Sequence, residues 1–461
     1  MKKQSNILFI VTDDQRYNTI HALGNEEIIT PNLDRLVAMG TAFTQAHIPG
    51  GTSGAICMPS RAMINSGRTL FHLDGEGQNI PEYHTTLGEA LKAHDYHCFG
   101  TGKWHNGPPV FTRSFHEGSN IFFGGMWDHW NVPTSYYDPT GEYDNYINIV
   151  ADWMHTNKSF KTLCDKFNPG VHSSQLLTDS SIEFLNQYEG EQPFYMYTAY
   201  LAPHDPRTMP EEFRQMYDAS KLTLPENYVD MPENFGVEGI RDESLAPYPR
   251  TKENTLNQIA DYYAMITHLD FEIGRLLDAL EAKGELENTM IILAGDNGLA
   301  IGNHGLMGKQ NHFDHSIRVP LIMAGPGIPV GEIRENYVYL LDIYPTICEM
   351  VGASIPESVE GISFAKMLTD KEYVTRETLY FVYNDLIRSV KDEQFKLIEY
   401  RTFMKKTQLF DLKNDPEEMH NLAGQKEYQE VQEKLSKLIL QYRDEWDDKT
   451  HKFGQKYWAN Y

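Results

Sequence analysis

The chain has 461 residues, 41% of them hydrophobic and 23% charged, a balance that fits a folded globular protein and excludes an intrinsically disordered one. Its length predicts one large domain with an appendage, or two or three smaller units. A formal net charge of −25 argues against a nucleic-acid partner, because phosphate backbones call for an excess of Lys and Arg, although a small anion can still bind where cations cluster locally.

Residues 7–11 form a continuous apolar run (Ile7, Leu8, Phe9, Ile10, Val11) halted by Thr12, Asp13 and Asp14, the pattern of a buried parallel strand. The run is too short for a signal-peptide core or a membrane span. As it stands the sequence predicts a soluble cytoplasmic protein with no membrane partner, or a periplasmic or secreted one if a leader has been removed. Thr30 and Pro31 read as the N-cap and first position of a helix that Gly40 ends. A short helix is expected at 87–93 and strands at 96–99 and 194–199. The clearest helix covers 256–283, where Leu256, Ile259, Tyr263, Ile266, Leu269, Ile273, Leu276, Leu277 and Leu280 recur every three or four residues before Gly284. A second buried strand, 289–294, stops at Gly295, Asp296, Asn297 and Gly298, and another is expected at 319–324.

Strands alternating with helices predict an α/β fold with a large, mostly parallel sheet sandwiched by helices. Ligands of such sheets gather beyond the carboxyl ends of the strands. The texture changes near residue 378: short strands at 379–382, 395–400 and 408–412 and a charged helix at 426–446 predict a smaller C-terminal α+β subdomain with an antiparallel sheet. The expected division is 1–375 and 376–461. The segment 225–249, rich in Pro, Glu and Tyr, reads as a surface loop.

Four cysteines (Cys57, Cys98, Cys164, Cys348) do not make a disulfide framework in so long a chain. Cys98 and Cys348 read as small buried hydrophobes. Cys57 differs, because Met58, Pro59, Ser60 and Arg61 follow it and the run extends through Gly67 and Arg68. Pro59 and Ser60 suit a first helical turn, which would set Cys57 at an electropositive helix N-terminus able to hold an oxyanion. Asp13, Asp14, Asp296 and Asn297 offer only hard oxygen ligands, suited to calcium or magnesium. Singly, such pairs are usually turn formers; two pairs at the ends of two buried strands favour a metal. Lys103 and His105, in Thr101 to His105, and His204, in Ala202 to Pro206, also follow strands, and Lys309 follows the second acidic pair. The aromatic stretch 122–137, with Trp127 and Trp130, is read as loop packing in preference to a sugar cleft. His84, His94, His97, His172 and His268 are read as surface or packing residues.

The run Cys57 to Arg68 resembles the motif of the type I, formylglycine-dependent sulfatases of the alkaline phosphatase superfamily. With Asn6 to Asp14, Gly295 to Gly298, and Gln408 to Leu412 followed by Asp415, Pro416 and Glu417, the resemblance extends from Asn6 to about Leu422. Ser66 stands where threonine is commoner. The resemblance implies an alkaline phosphatase-like fold and hydrolysis of sulfate monoesters to an alcohol and inorganic sulfate. It implies that a maturation enzyme converts Cys57 to formylglycine (3-oxoalanine), whose hydrate is nucleophile and metal ligand. Arg61 would orient that hydrate, Lys103 and Lys309 would hold sulfate oxygens, His204 would protonate the leaving oxygen and His105 would act as base in sulfate release. The metal is expected to be calcium, with magnesium the alternative. The expected substrate is a sulfated small molecule or glycan, such as a glycosaminoglycan fragment, with Asp205, Arg207, His304 and His312 as candidate contacts. The rival readings are a phosphonate monoester or phosphodiester hydrolase of the same superfamily and, more remotely, a non-catalytic sulfoglycan-binding protein.

Overall fold

The computed structural model describes residues 4–150 and 158–461. The strand Asn6–Thr12 is buried throughout and lies inside an eight-stranded sheet. Across that sheet the order is Glu332–Arg334, Gly40–Phe43, Leu321–Ala324, Thr289–Gly295, Asn6–Thr12, Phe194–Ala199, His97–Lys103 and Glu117–Phe122. The last five of these run parallel to one another. Leu321–Ala324 is antiparallel to both of its neighbours, so the sheet is mostly parallel with one reversed strand. The single strand expected at 319–324 is broken at Pro320, which has no N–H for a ladder bond. Arg318–Val319 instead pairs with Ala46–His47 in a separate three-stranded sheet.

Alternate side chains of the central strand feed two different cores, as the two-residue period of a strand demands. Ile7, Phe9 and Val11 pack with Ala62, Met63, Ile64 and Leu87; Leu8 and Ile10 pack with Leu269, Ile273 and Leu276. Helices therefore cover both faces. The long helix spans Lys252–Ala282 and starts ahead of its apolar stripe because Thr251 caps it, accepting the Asn254 N–H. Pro31 opens its helix as expected, but the Thr30 hydroxyl accepts the His21 N–H at 2.9 Å and caps nothing.

The C-terminal sheet has four consecutive antiparallel strands, Leu379–Tyr383, Ile387–Lys391, Phe395–Arg401 and Lys405–Asp411. Ile387–Lys391 escapes a reading of the sequence because it buries Arg388, Ser389 and Lys391, which break the apolar pattern. The fifth strand comes from far away: Gly50–Gly51 pairs in parallel with Leu379–Tyr383. Two helices, Gln429–Glu445 and Lys452–Ala459, complete this region, the second unannounced by periodicity. Among the described residues, no helix is long and apolar enough to cross a membrane.

Candidate active site

Because the central strands are parallel, their carboxyl ends share one edge of the sheet. Asp13 and Asp14 follow Asn6–Thr12, Asp296 and Asn297 follow Thr289–Gly295, Lys103 ends His97–Lys103, and His204 lies beyond Phe194–Ala199. Backbone bonds tie these ends together: Asp296 N–H to Thr12 O at 2.9 Å and Asp13 N–H to Ala202 O at 3.0 Å. The Asp14 N–H donates to Asp296 Oδ1 at 3.1 Å.

Charges then meet in pairs. Lys103 Nζ donates to Asp13 Oδ2, Lys309 Nζ to Asp14 Oδ1 at 2.5 Å, and Arg61 Nε to Asp296 Oδ2 at 2.7 Å. Three carboxylates thus face three cations, and a divalent ion would leave the cluster positive, as an anionic substrate requires. Asp13 Oδ1 and Asn297 Oδ1 are buried without a hydrogen-bond partner. Asp13 groups its ligand atoms within 4.8 Å of Asp14 and His204, and likewise of Cys57 and Asp296. A buried oxygen without a partner is costly, and hard oxygen donors converging on one point suit a metal such as calcium. The donor set fits a divalent cation. Burial would raise Asp13, but Lys103, His204, Arg61 and Lys309 hold it well below the usual carboxylate range. Burial and the Asp13 charge push Asp296 up to about 6 against Arg61 and Lys103.

Cys57 is the first residue of the helix Cys57–Ser66 and is buried. Its Sγ lies 3.5 Å from Lys103 Nζ and 3.5 Å from His105 Nδ1. Burial raises the thiol pKa, against the pull of Lys103 and Lys309. His105 is driven well below its ordinary value by burial and by Lys103 and Arg61, so it is neutral near pH 7. Lys103 and Lys309 stay cationic: despite burial, Asp13 and Cys57 raise the first, and Asp14 and Cys57 raise the second. Arg61 also donates to the Lys103 and Tyr200 carbonyls at 2.8 and 3.4 Å, so its guanidinium binds three strand ends together.

A family model described as Sulfatase matches residues 5–353. The chain belongs to the sulfatase family. A further model, N-sulphoglucosamine sulphohydrolase, C-terminal, matches residues 302–445 of the sulfatase. An arylsulfatase of Clostridium perfringens is 28% identical to it, over 94% of this chain and 93% of the relative. A solved structure described as a complex with its substrate D-glucosamine-2-N,6-O-disulfate superposes with a TM-score of 0.74 at 23% identity, covering 97% of this chain and 99% of that one. The phosphonate monoester hydrolase of Agrobacterium radiobacter shares the fold too, with a TM-score of 0.73, 20% identity and 96% of each chain covered. The present chain is a sulfuric ester hydrolase of the alkaline phosphatase superfamily, and the sulfatase family within it generally uses a metal ion and formylglycine.

The catalytic candidates open on a cavity of about 340 Å³ lined by Cys57, His105, His204 and Lys309. Its other walls include Met126, Ile240, Arg241, Asp242, Gln310 and Tyr383. None of the four residues expected as substrate contacts is among the lining residues. Arg207 is tucked behind Tyr262, donating to Gln258, and His304 stacks on Phe313 at 3.8 Å. His312 is fully buried and bonds Ser389 of the C-terminal sheet at 2.8 Å, and Asp205 pairs with Arg241 at 3.2 Å at the edge of the cavity. Trp127 packs on Phe160 and Phe167, as loop packing predicts, and only Gly125 and Met126 of that stretch reach the cavity. Gly239 to Asp242 were missed, since 225–249 read as plain surface. The available signal was the length of that segment: long irregular insertions in compact domains tend to carry function.

Proposed function

We propose that the sulfatase removes sulfate from a carbohydrate, with Cys57 converted to formylglycine and a calcium ion held by Asp13, Asp14, Asp296, Asn297 and residue 57. The observation carrying this reading is the convergence of Lys103 and His105 on the Cys57 sulfur, beside an unpartnered carboxylate oxygen on Asp13 and an unpartnered amide oxygen on Asn297. As a buried thiol with a raised pKa, Cys57 would be a poor nucleophile. As an aldehyde hydrate, residue 57 would supply one hydroxyl to attack sulfur and a second to expel sulfate and restore the aldehyde. Bound calcium would supply charge neutralisation at the sulfate oxygens. Four oxygen-donor side chains favour calcium over magnesium, which usually keeps several waters.

The chain's own groups supply the rest. Lys103 and Lys309, kept cationic by Asp13 and Asp14, hold sulfate oxygens and offset charge that builds as the S–O bond breaks. His204 gives its proton to the departing alcohol oxygen. Neutral His105 takes a proton from the residue 57 hydroxyl as sulfate leaves. Arg61 acts one step back, keeping Asp296 ionised and the strand ends in register. The lining mixes apolar Met126, Ile240 and Tyr383 with polar Arg241, Asp242 and Gln310, which suits a sugar ring and its hydroxyls. The named substrate of the matched complex, a sulfated glucosamine, supports the same class. Conversion of Cys57 requires a formylglycine-generating enzyme acting on this chain.

The test combines mass spectrometry of the Cys57 peptide, from protein made in its own host, with sulfate release from matched sulfated sugars, aryl sulfates and choline sulfate. The expected result is an aldehyde at residue 57 and fastest turnover of a sulfated sugar. Turnover confined to aryl or choline sulfates ends the carbohydrate reading, and an unmodified Cys57 in active enzyme ends the formylglycine one.

A further inference from the structure

Tyr262 is fully buried in the long helix Lys252–Ala282 and touches no reacting group. Its hydroxyl donates to the Asp14 carbonyl oxygen at 2.6 Å and accepts the Arg16 N–H at 3.0 Å. One oxygen therefore staples both ends of the turn from Asp14 to Arg16. That turn needs an external tie, because Asp14 has φ +62°, a left-handed conformation that residues with a Cβ rarely adopt.

The ring itself is clasped between two arginines. The Arg16 guanidinium lies 5.5 Å and the Arg207 guanidinium 5.6 Å from its centroid. Arg16 belongs to the turn, and Arg207 to the loop that carries His204. Arg207 Nε and Nη2 are buried without a hydrogen-bond partner, so the attraction of the ring for a cation is what recommends this site to them. Arg16 reaches onward to Asn303 at 3.0 Å, and Asn303 to Asn227 at 2.9 Å. Burial pushes the Tyr262 phenol up, against the pull of Arg16, so it stays a hydroxyl donor.

We infer that Tyr262 is a positioning residue for the metal, fixing the Asp14 carboxylate through the backbone of its turn and joining that turn to the His204 loop through the arginine clasp. The inference rests on the reading of Asp14 as a metal ligand. Groups behind ligands orient them, and losing one typically weakens metal binding roughly 10- to 100-fold.

Calcium titration calorimetry on protein stripped with EDTA tests this, with thermal melts of the stripped and loaded forms alongside. Tyr262→Phe keeps the ring in its clasp and removes the staple; its calcium Kd is expected to rise roughly 10- to 100-fold. Tyr263→Phe is the control, since that hydroxyl accepts from Asn25 at 3.1 Å, and its Kd is expected to match wild type. A wild-type Kd in Tyr262→Phe overturns the inference, even if the stripped protein melts earlier, because that pattern is ordinary packing. Wild-type protein that binds neither calcium nor magnesium overturns the metal reading and this one with it. If Tyr262→Phe does not fold, Arg207→Lys decides: it keeps the charge but loses the planar cation on the ring, so a raised Kd supports the clasp and an unchanged Kd overturns it.

Discussion

Among the described residues, two buried clusters of charge invite comparison, and only one of them resembles a site. The first is the set of strand ends around Asp13, Asp14 and Asp296. The second lies under the C-terminal sheet, where Asp314 meets Lys391 at 2.8 Å and Lys396 at 2.5 Å, and Lys396 also meets Glu418 at 2.6 Å. His47 Nε2 sits 3.2 Å from Lys391 Nζ, and the Glu418 Oε2 accepts the Asp314 N–H at 2.8 Å. Both clusters are buried, and both shift the pKa values of their members. The difference is completeness and access. Around Asp314 every carboxylate oxygen has a cation or N–H within reach, and neither Asp314 nor its partners line the cavity beside Cys57. Around Asp13, two oxygens are left over, and the neighbouring Cys57, His204 and Lys309 line a cavity. Buried charge by itself marks a joint as readily as a catalyst; leftover ligand atoms beside an opening mark the catalyst.

The sharpest way to break this comparison is to remove the nucleophile. Cys57→Ala is expected to lower sulfate release by about 10⁴-fold or more while leaving the melting transition near wild type, as assayed by sulfate release and thermal melts. Asp314→Asn should do the reverse: two lysines are left underpaired in the core, at a cost of about 3–5 kcal/mol in denaturant melts, with kcat/KM per folded molecule unchanged. If Asp314→Asn instead abolishes activity in folded protein, the second cluster is part of the site. Calcium at about a hundredfold its Kd should raise stability by about 2.7 kcal/mol, an increment that Asp296→Asn loses and Asp314→Asn keeps. The smallest effect, per pH unit, is acid sensitivity at the joint. Burial, with Arg388 and Lys396, lowers His312 to about 3, so between pH 3 and 6.5 only the unfolded chain is protonated there. Its stabilisation is complete above pH 6.5 and is lost as pH falls toward 3, by about 1.4 kcal/mol per pH unit. His312→Gln should flatten the pH dependence of denaturant melts by that amount.

Much of the first cluster was legible in the sequence because strand and ligand adjoin: an apolar run that stops at Asp13 announces both. Cys57 was legible for a similar reason, as its helix begins at the residue itself. Arg61 was read as a group for the nucleophile, yet its donors go to Asp296 and two carbonyls, which depends on contacts across more than a hundred residues. His304 and His312 fail in an instructive way. They neighbour Lys309 in sequence, but the chain turns after it, and His312 points into the C-terminal sheet. Arg241 and Asp242 reach the cavity only through an irregular loop, which has no period to read. The second cluster was invisible because Asp314, Lys391 and Glu418 come from three separate segments, and polar residues at buried positions look like surface in a linear pattern.

The strand Gly50–Gly51 places a constraint on time. Gly51 aligns with Tyr383 and Gly50 with Val382, and the Val382 carbonyl occupies the space where a side chain on Gly50, at φ +91°, would begin. The ribbon leading into Cys57 thus has no neighbour on this side until the chain has been synthesised past residue 383. A nascent polypeptide shorter than that lacks the strand that flanks this ribbon, whereas in the full chain Cys57 is 2% exposed. An enzyme that converts this thiol would meet it exposed only before folding is complete, so slower folding of this sheet would favour conversion.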